Sequence, residues 1–587
     1  METKLIHAAK RPNGARTLFF TLLMAAAIHG GNTRAQNAAT QPVGQERNSA
    51  PKALTVLEKQ AILRGNAALS AQKILISPVG ITSDFALPWL PDEALTPVNR
   101  LSIRAAVNEW KPLALAVTNN TDEYQETRVV IEAEGPRWLS HAPVLGLENF
   151  TTIVMRQGSM MRETSDGRYA LIDSLPCMNE SHSILIPPHQ SSLVWIDFNT
   201  EGMKPGKYTG RLLAIPLCGA GEFKGKGNNL EYTGDACVLP IEFVIDDIEL
   251  PREPVKGLIM DSSVPLPNAV RLYNELGCRW YCISIWCFAE AKNDQGDFAF
   301  KAPVAERDIR FYQQEAAKYG FRPKFQVMYS AWSFATRMLK DNKEDFQKWL
   351  KALSAFMQAH DVRPDEWYLE IQDEPWANEL PAVLEYAKLA KAAAPEVRLL
   401  LTVVAGRIKD ASLLEDFVPY IDVWTFHRTD WQKGKEWLAF IERVKHASPD
   451  NNIYTCETEM FSLLHQNYRT LPWFVECQDF PAVSVYQGFR YTYNQCQYDF
   501  KGGTNGTLNL VSFQDAIPTL RGMAVRQGMT DLKYLAVLKQ MSPRHPKARE
   551  FLETAASRVI QNLEDRNMPD KVREEAASLI LRLKQEE

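Results

Sequence analysis

Residues 367–380 read WYLEIQDEPWANEL. The run has the two-residue period of a strand, with Leu369 and Ile371 on one face and Glu370, Gln372 and Glu374 on the other. It ends on two adjacent acids, Asp373 and Glu374, and then on Pro375, which removes a backbone donor and confines the preceding residue to extended geometry. The ladder is therefore expected to stop there, with both carboxylates free to turn inward. The following stretch, LPAVLEYAKLAKAAA, repeats its apolar residues at helical spacing.

This strand-then-helix unit recurs on both sides. After Pro254, VKGLIMD, CRWYCISIW, RPKFQVMYS, WYLEIQDE, VRLLLTVVA, IDVWTFH, NNIYTCETE and VYQGFRYTYN make eight candidate strands. Helical stretches such as ERDIRFYQQEAAKYG and KEDFQKWLKALSAFMQAH lie between several of them. Eight strands alternating with helices over about 290 residues is what a (β/α)8 TIM-type barrel requires. AVRQGMTDLKYLAVLKQM is its last helix, with C-terminal helices beyond. Upstream the pattern differs: ALAVTN, TRVVIEAEG, SLVWIDFNT, YTGRLLAIP and CVLPIEFVIDD are short alternating runs between Gly, Pro and Asn turns, which predict an antiparallel β-sandwich. The expected organisation is multidomain: a signal peptide over 1–35, a linker and helix over 36–72, the sandwich over 73–252, the barrel over 253–545 and C-terminal helices over 546–587.

At 587 residues, 45% hydrophobic and 23% charged, the chain has room for more than one core. A net charge of -5 supplies no basic field for a phosphate backbone, which argues against nucleic acid as a partner. Lys4, Lys10, Arg11 and Arg16 precede the apolar run LFFTLLMAAAI, and Thr33-Arg34-Ala35 offers small residues where a signal peptidase reads, so cleavage is expected after Ala35. That run is well short of the roughly 20 residues a membrane span needs. The expectation is an exported mature chain without a membrane span, the alternative being an uncleaved amino-terminal anchor. Nine cysteines cannot all pair within one chain. In GCRWYCISIWC, Cys278 and Cys282 share a strand face while Cys287 points the other way, and no nearby histidine completes a ligand set, so buried thiols are expected rather than a metal site. No phosphate loop, nicotinamide fingerprint or metal-binding histidine motif occurs, and no cofactor is expected.

In such barrels the site lies at the carboxyl ends of the strands. The residues there are Asp261, Trp286, Tyr329 with Trp332, Asp373-Glu374 with Trp376, His427 with Trp431, Glu457 and Glu459, then Tyr491, Tyr493 and Asn494. Aromatics and carboxylates with few cations suit a sugar, because pyranose rings stack on indoles and hydroxyls bond to acids and amides. A glycan is the expected ligand. Plainer alternatives stand beside these: Pro375 as the opening residue of the next helix, with the acids favouring its positive end, and His427 as the partner of a backbone group. Arg526 and Asp531 in the last helix are expected as a structural ion pair.

Taken in order, YLEIQDEPW, QGFRYTYN and RQGMTDLKYL resemble glycoside hydrolase family 123 and its uncharacterised relatives. The resemblance implies a barrel preceded by a sandwich, and a β-N-acetylgalactosaminidase working by substrate assistance. It also implies Glu374 as acid/base and Asp373 as the group orienting the acetamido substituent. Tyr491 stands where the family more commonly has Trp, which bears on the sugar more than on the reaction. The adjacency agrees with this chemistry: a retaining enzyme with its own nucleophile needs carboxylates about 5–5.5 Å apart across the anomeric carbon, which sequence neighbours rarely supply. Two alternatives remain: a two-carboxylate enzyme using Glu374 with Glu457 or Glu459, although Asp373 stands where Asn usually precedes the acid, and a barrel that binds glycans without cleaving them.

Overall fold

The computed structural model describes residues 54–82, 86–87, 89–132, 152–157, 159–163, 170–175, 178, 182–217, 223–224, 231–232, 236–260, 265–289, 296–298, 300, 302–328, 330–455, 464–485, 489–491, 509–511 and 516–587. The expected signal peptide and most of the linker lie outside them. Alternation after Pro254 produces eight strands: Gly257–Met260, Trp280–Ser284, Lys324–Met328, Trp367–Asp373, Arg398–Val403, Val423–His427, Asn452–Thr455 and Ala482–Val485. They pair in parallel in the order one, eight, seven, six, five, four, three, two. A parallel bridge from Leu258 to Cys278 brings the first strand to the entry of the second, so the sheet all but closes into a TIM-type barrel.

Leu369, Ile371, Leu399, Leu401, Trp424 and Phe426 are buried in one cluster with Trp349, Leu353, Tyr386 and Phe440 from the helices outside. Inside the barrel, polar groups satisfy one another: Tyr368 donates to Gln326 Oε1 at 3.4 Å and Asn452 Nδ2 to Thr425 Oγ1 at 3.0 Å. At the amino-terminal rim, Lys324 and Arg398 converge on Asp450 at 2.7 and 2.9 Å and occupy that end with paired charge. The acids of interest stand at the other rim. Cys278 is buried, and its thiol donates to the Trp280 carbonyl at 3.3 Å.

The eighth strand differs from expectation. It is Ala482–Val485, upstream of most of VYQGFRYTYN. Among the described residues it pairs with Gly257–Met260 on one side and Asn452–Thr455 on the other. Phe489–Tyr491 instead pairs with Asn509–Val511, which pairs with Ala516–Pro518 in a separate small sheet.

The amino-terminal region holds a four-stranded antiparallel sheet and a five-stranded one. Ile76, Leu115, Val117 and Val194 of the first share one buried cluster with Ile103, Val129, Leu212 and Ile241 of the second, and Phe198 meets Phe243 at 5.1 Å between ring centres. The five-stranded sheet is mixed, because Leu101–Val107 runs parallel to Cys237–Glu249. Before these sheets Thr55 and Glu58 form a capping box for Val56–Gly65. Among the described residues no helix is long and apolar enough to cross a membrane.

The helix Leu520–Met541 is buried on nearly all sides. Arg526 and Asp531 do not pair with each other, because residues five apart do not face one another on a helix. Arg526 pairs with Asp197 of the four-stranded sheet, while Asp531 lies 2.8 Å from Arg469 and 3.4 Å from Arg573. Removing one partner of a buried ion pair strands the other charge, at a cost of about 3–5 kcal/mol. Asp197→Asn should therefore lower the urea midpoint strongly with the slope retained; an unchanged midpoint would remove Arg526–Asp197 from the forces joining sheet and helix.

Candidate active site

The fourth barrel strand does not keep its period. Glu370 pairs with Leu400, but Gln372 pairs with Leu401 and Asp373 with Thr402, so one extra residue is inserted between Glu370 and Gln372. Such an insertion inverts the alternation beyond it. Asp373 therefore stands level with Thr402, itself paired with Thr425, on the face that a regular strand would deny it. Gln372 is fixed by the Ser330 hydroxyl, which donates to its Oε1 and caps the helix Ala331–Met338.

Glu374 is not extended as Pro375 predicts. Its φ is +45°, in the left-handed region that costs a side-chain-bearing residue on the order of 1–3 kcal/mol. Two bonds impose this: the Glu374 amide donates to the Thr402 carbonyl at 3.1 Å, and the Glu374 carbonyl accepts from Arg407 Nη1 at 2.8 Å. The side chain is held too. Tyr454 in the seventh strand donates its O–H to Oε1, and Arg407 Nη2 lies 2.5 Å from Oε2. The same guanidinium stands 5.3 Å from the ring centre of Trp376, an indole 53% exposed.

Asp373 has the opposite surroundings. Its carboxyl opens toward solvent yet sits in a crowded rim, and that crowding holds its pKa well above the ordinary carboxylate range. The charges of Glu370 and Glu374 push the same way, with Arg407 opposing.

His427 is buried at the end of the sixth strand, where Nδ1 accepts from the Thr429 amide at 3.3 Å and the ring meets Tyr454 edge-on at 4.9 Å. Trp376 lies beside the pair. Trp286 packs edge-on against Phe334 at 5.6 Å, and Trp332 rests partly buried on the barrel core. Trp431 is taken up by Phe426, Phe474 and Phe480 at 6.3, 5.5 and 5.6 Å on the helix side of its strand, so its ring is spent on packing. Asp261, Tyr329, Glu457, Glu459, Tyr493 and Asn494 lie outside the described residues. Tyr491 is placed only by its backbone, in the small separate sheet. Sequence reasoning missed Arg407, Tyr454 and Asp430. Tyr454 carried a signal, since Asn452 faces the barrel interior and the residue two along shares its face. Arg407 carried none, lying in a turn past the fifth strand.

The fold is similar to that of a family 123 glycoside hydrolase from Clostridium perfringens analysed for glycolipid glycan hydrolysis, with 13% identity and a TM-score of 0.62 over 87% of this chain and 99% of that one. The chain thus has a glycoside-hydrolase-like fold. Looser likenesses are a family 2 β-galacturonidase from Eisenbergiella tayi (10% identity, TM-score 0.29, covering 78% and 71%) and xylanase 10C from Cellvibrio japonicus (10%, 0.30, 71% and 93%). By sequence, no protein family and no curated protein matches the chain.

A carboxyl whose folded pKa is raised binds its proton more tightly when folded, so stability falls as pH rises from the unfolded value, about 3.9, toward the folded one. Asp373→Asn removes that loss. Its melting temperature should exceed the parent's at neutral pH, and the gap should close as the pH falls to about 4. A variant less stable than the parent at neutral pH would contradict this account of Asp373.

Proposed function

We propose that this chain is an exported glycoside hydrolase that cleaves a β-linked N-acetylhexosamine, with N-acetylgalactosamine the first candidate, by substrate-assisted retaining hydrolysis. The observation that carries the reading is the adjacent Asp373-Glu374 pair at the carboxyl end of the fourth barrel strand, with unlike surroundings for its two members. Environments that separate two neighbouring carboxyls assign them separate roles. The two-sheet region over 73–252 serves as an accessory sandwich, and the barrel over 253–545 carries the chemistry.

We infer that before substrate binds a proton sits on Asp373, the carboxyl whose crowded surroundings favour its neutral form. A bound acetamido N–H donates to that carboxyl, which favours its anion and hands the proton to Glu374. The acetamido carbonyl oxygen then attacks the anomeric carbon, and the glycosidic bond breaks. Its electron pair stays on the leaving oxygen, which takes the Glu374 proton. The oxazolinium so formed carries positive charge beside Asp373, which is worth more in the transition state than in the ground state. Water, deprotonated by Glu374, adds to the same carbon and reopens the ring. Trp376 offers an exposed face on which a sugar ring can stack.

Aryl β-N-acetylhexosaminides carrying zero to three fluorines on the acetyl methyl provide the test. Rates should fall stepwise as the carbonyl oxygen becomes a weaker nucleophile. Asp373→Asn should lower the rate on the unfluorinated substrate by roughly 10²–10³, the scale for one preorganised electrostatic partner. Glu374→Gln should lose turnover of substrates with poor leaving groups. A flat rate across the series would favour a two-carboxylate enzyme, and no hydrolysis of any member a glycan-binding barrel.

A further inference from the structure

We propose that Asp430 is the positioning residue for Glu374, setting both of its partners by tying the turn after the fifth barrel strand to the end of the sixth. The rate prediction below rests on the glycosidase reading; the geometry does not.

Asp430 lies in the short 3-10 turn Arg428–Gln432 and is wholly buried. Its Oδ1 accepts from the Ala405 amide at 2.9 Å and its Oδ2 from the His427 amide at 3.0 Å. Ala405 belongs to the turn in which the Arg407 and Ile408 amides both donate to the Val404 carbonyl, at 2.9 and 3.2 Å. That turn presents Arg407 to Glu374. On the other side, the His427 ring stands against Tyr454, whose O–H meets Glu374 Oε1. One carboxylate thus ties the turn that carries the cation to the residue whose ring packs against the tyrosine that holds Glu374. Only a carboxylate offers two acceptors in this fork, because an amide presents one acceptor and one donor.

The clamp is sensitive to protonation. Burial pushes the Asp430 carboxyl up to about 7; the two amides and Lys433, on its own element, oppose this, and the Glu374 charge from the fourth strand adds to it. Among the described residues, other titratable groups close by are Arg428 in the same turn, the His427 imidazole and Tyr454 beyond it. Protonation turns one acceptor into a hydroxyl, weakens the hold on Ala405 or His427, and loosens Arg407 from Glu374 and from the Trp376 ring.

Trp376 reports this without any substrate. The fluorescence of the full chain minus that of Trp376→Phe, followed across pH, should show a transition within about one unit of 7. The transition should vanish in Asp430→Asn. It should also vanish in Arg407→Met, which leaves Asp430 in place and keeps the test open should Asp430→Asn fail to fold. With a hydrolysed substrate in hand, Asp430→Asn should lower kcat by roughly 10–10²-fold with KM little changed, the scale for a misplaced catalytic group, and flatten the acid limb of the pH profile. A flat difference signal in the parent, or a transition that survives in Asp430→Asn or Arg407→Met, overturns the proposal. Absence of hydrolysis by the parent counts against the glycosidase reading alone.

Discussion

Two carboxyls on consecutive residues repel each other wherever water is scarce, and the rim of this barrel is arranged around that repulsion. Glu374 receives a cation and a hydroxyl, while Asp373 receives crowding and the charges of its neighbours. The asymmetry sets two neighbouring carboxyls in unlike surroundings. It cannot be built from local sequence, because Arg407 lies 33 residues from Glu374 and Tyr454 lies 80 residues away. A parallel barrel solves this by bringing every strand's carboxyl end to one rim, so groups from the fourth, fifth and seventh strands meet.

The opposite rim shows the complementary solution. There Lys324 and Arg398 share Asp450, each charge has a partner, and nothing is left poised. The helix Leu520–Met541 works on the same principle: its buried charges join sheets and helices that apolar packing alone would leave free to slide.

Periodicity made the alternating elements legible. The run read at 380–394 becomes the helix Leu380–Ala393, and the run read at 343–360 becomes Lys343–Ala359. What it could not show was anything fixed by a neighbour. The place of Ala482–Val485 as the eighth strand is set by its pairing with the first and seventh, and the inserted residue before Gln372 is visible only against the register of the fifth strand. Trp431 looked like a rim aromatic because it follows His427 closely, but a 3-10 turn carries it onto the helix side. The place of the Asp373-Glu374 pair at the end of a barrel strand was legible from the strand pattern, whereas the partners that distinguish its members were not.

The backbone of Glu374 joins these observations. Glycine would relieve the left-handed φ, yet it would remove the carboxylate that Arg407 and Tyr454 both hold. Strain of this kind persists where the surroundings over-determine it. Here Arg407 contributes twice, gripping both the carbonyl and the carboxylate of the same residue, beside the Thr402 carbonyl and the Tyr454 hydroxyl. The two grips are separable. A carboxylate that takes up a proton can release Nη2 and turn toward a substrate while Nη1 and the Thr402 carbonyl keep the strand end where it was. Holding the backbone apart from the side chain lets an acid change partners without moving the barrel, which is the mobility that the proposed acid/base role of Glu374 requires.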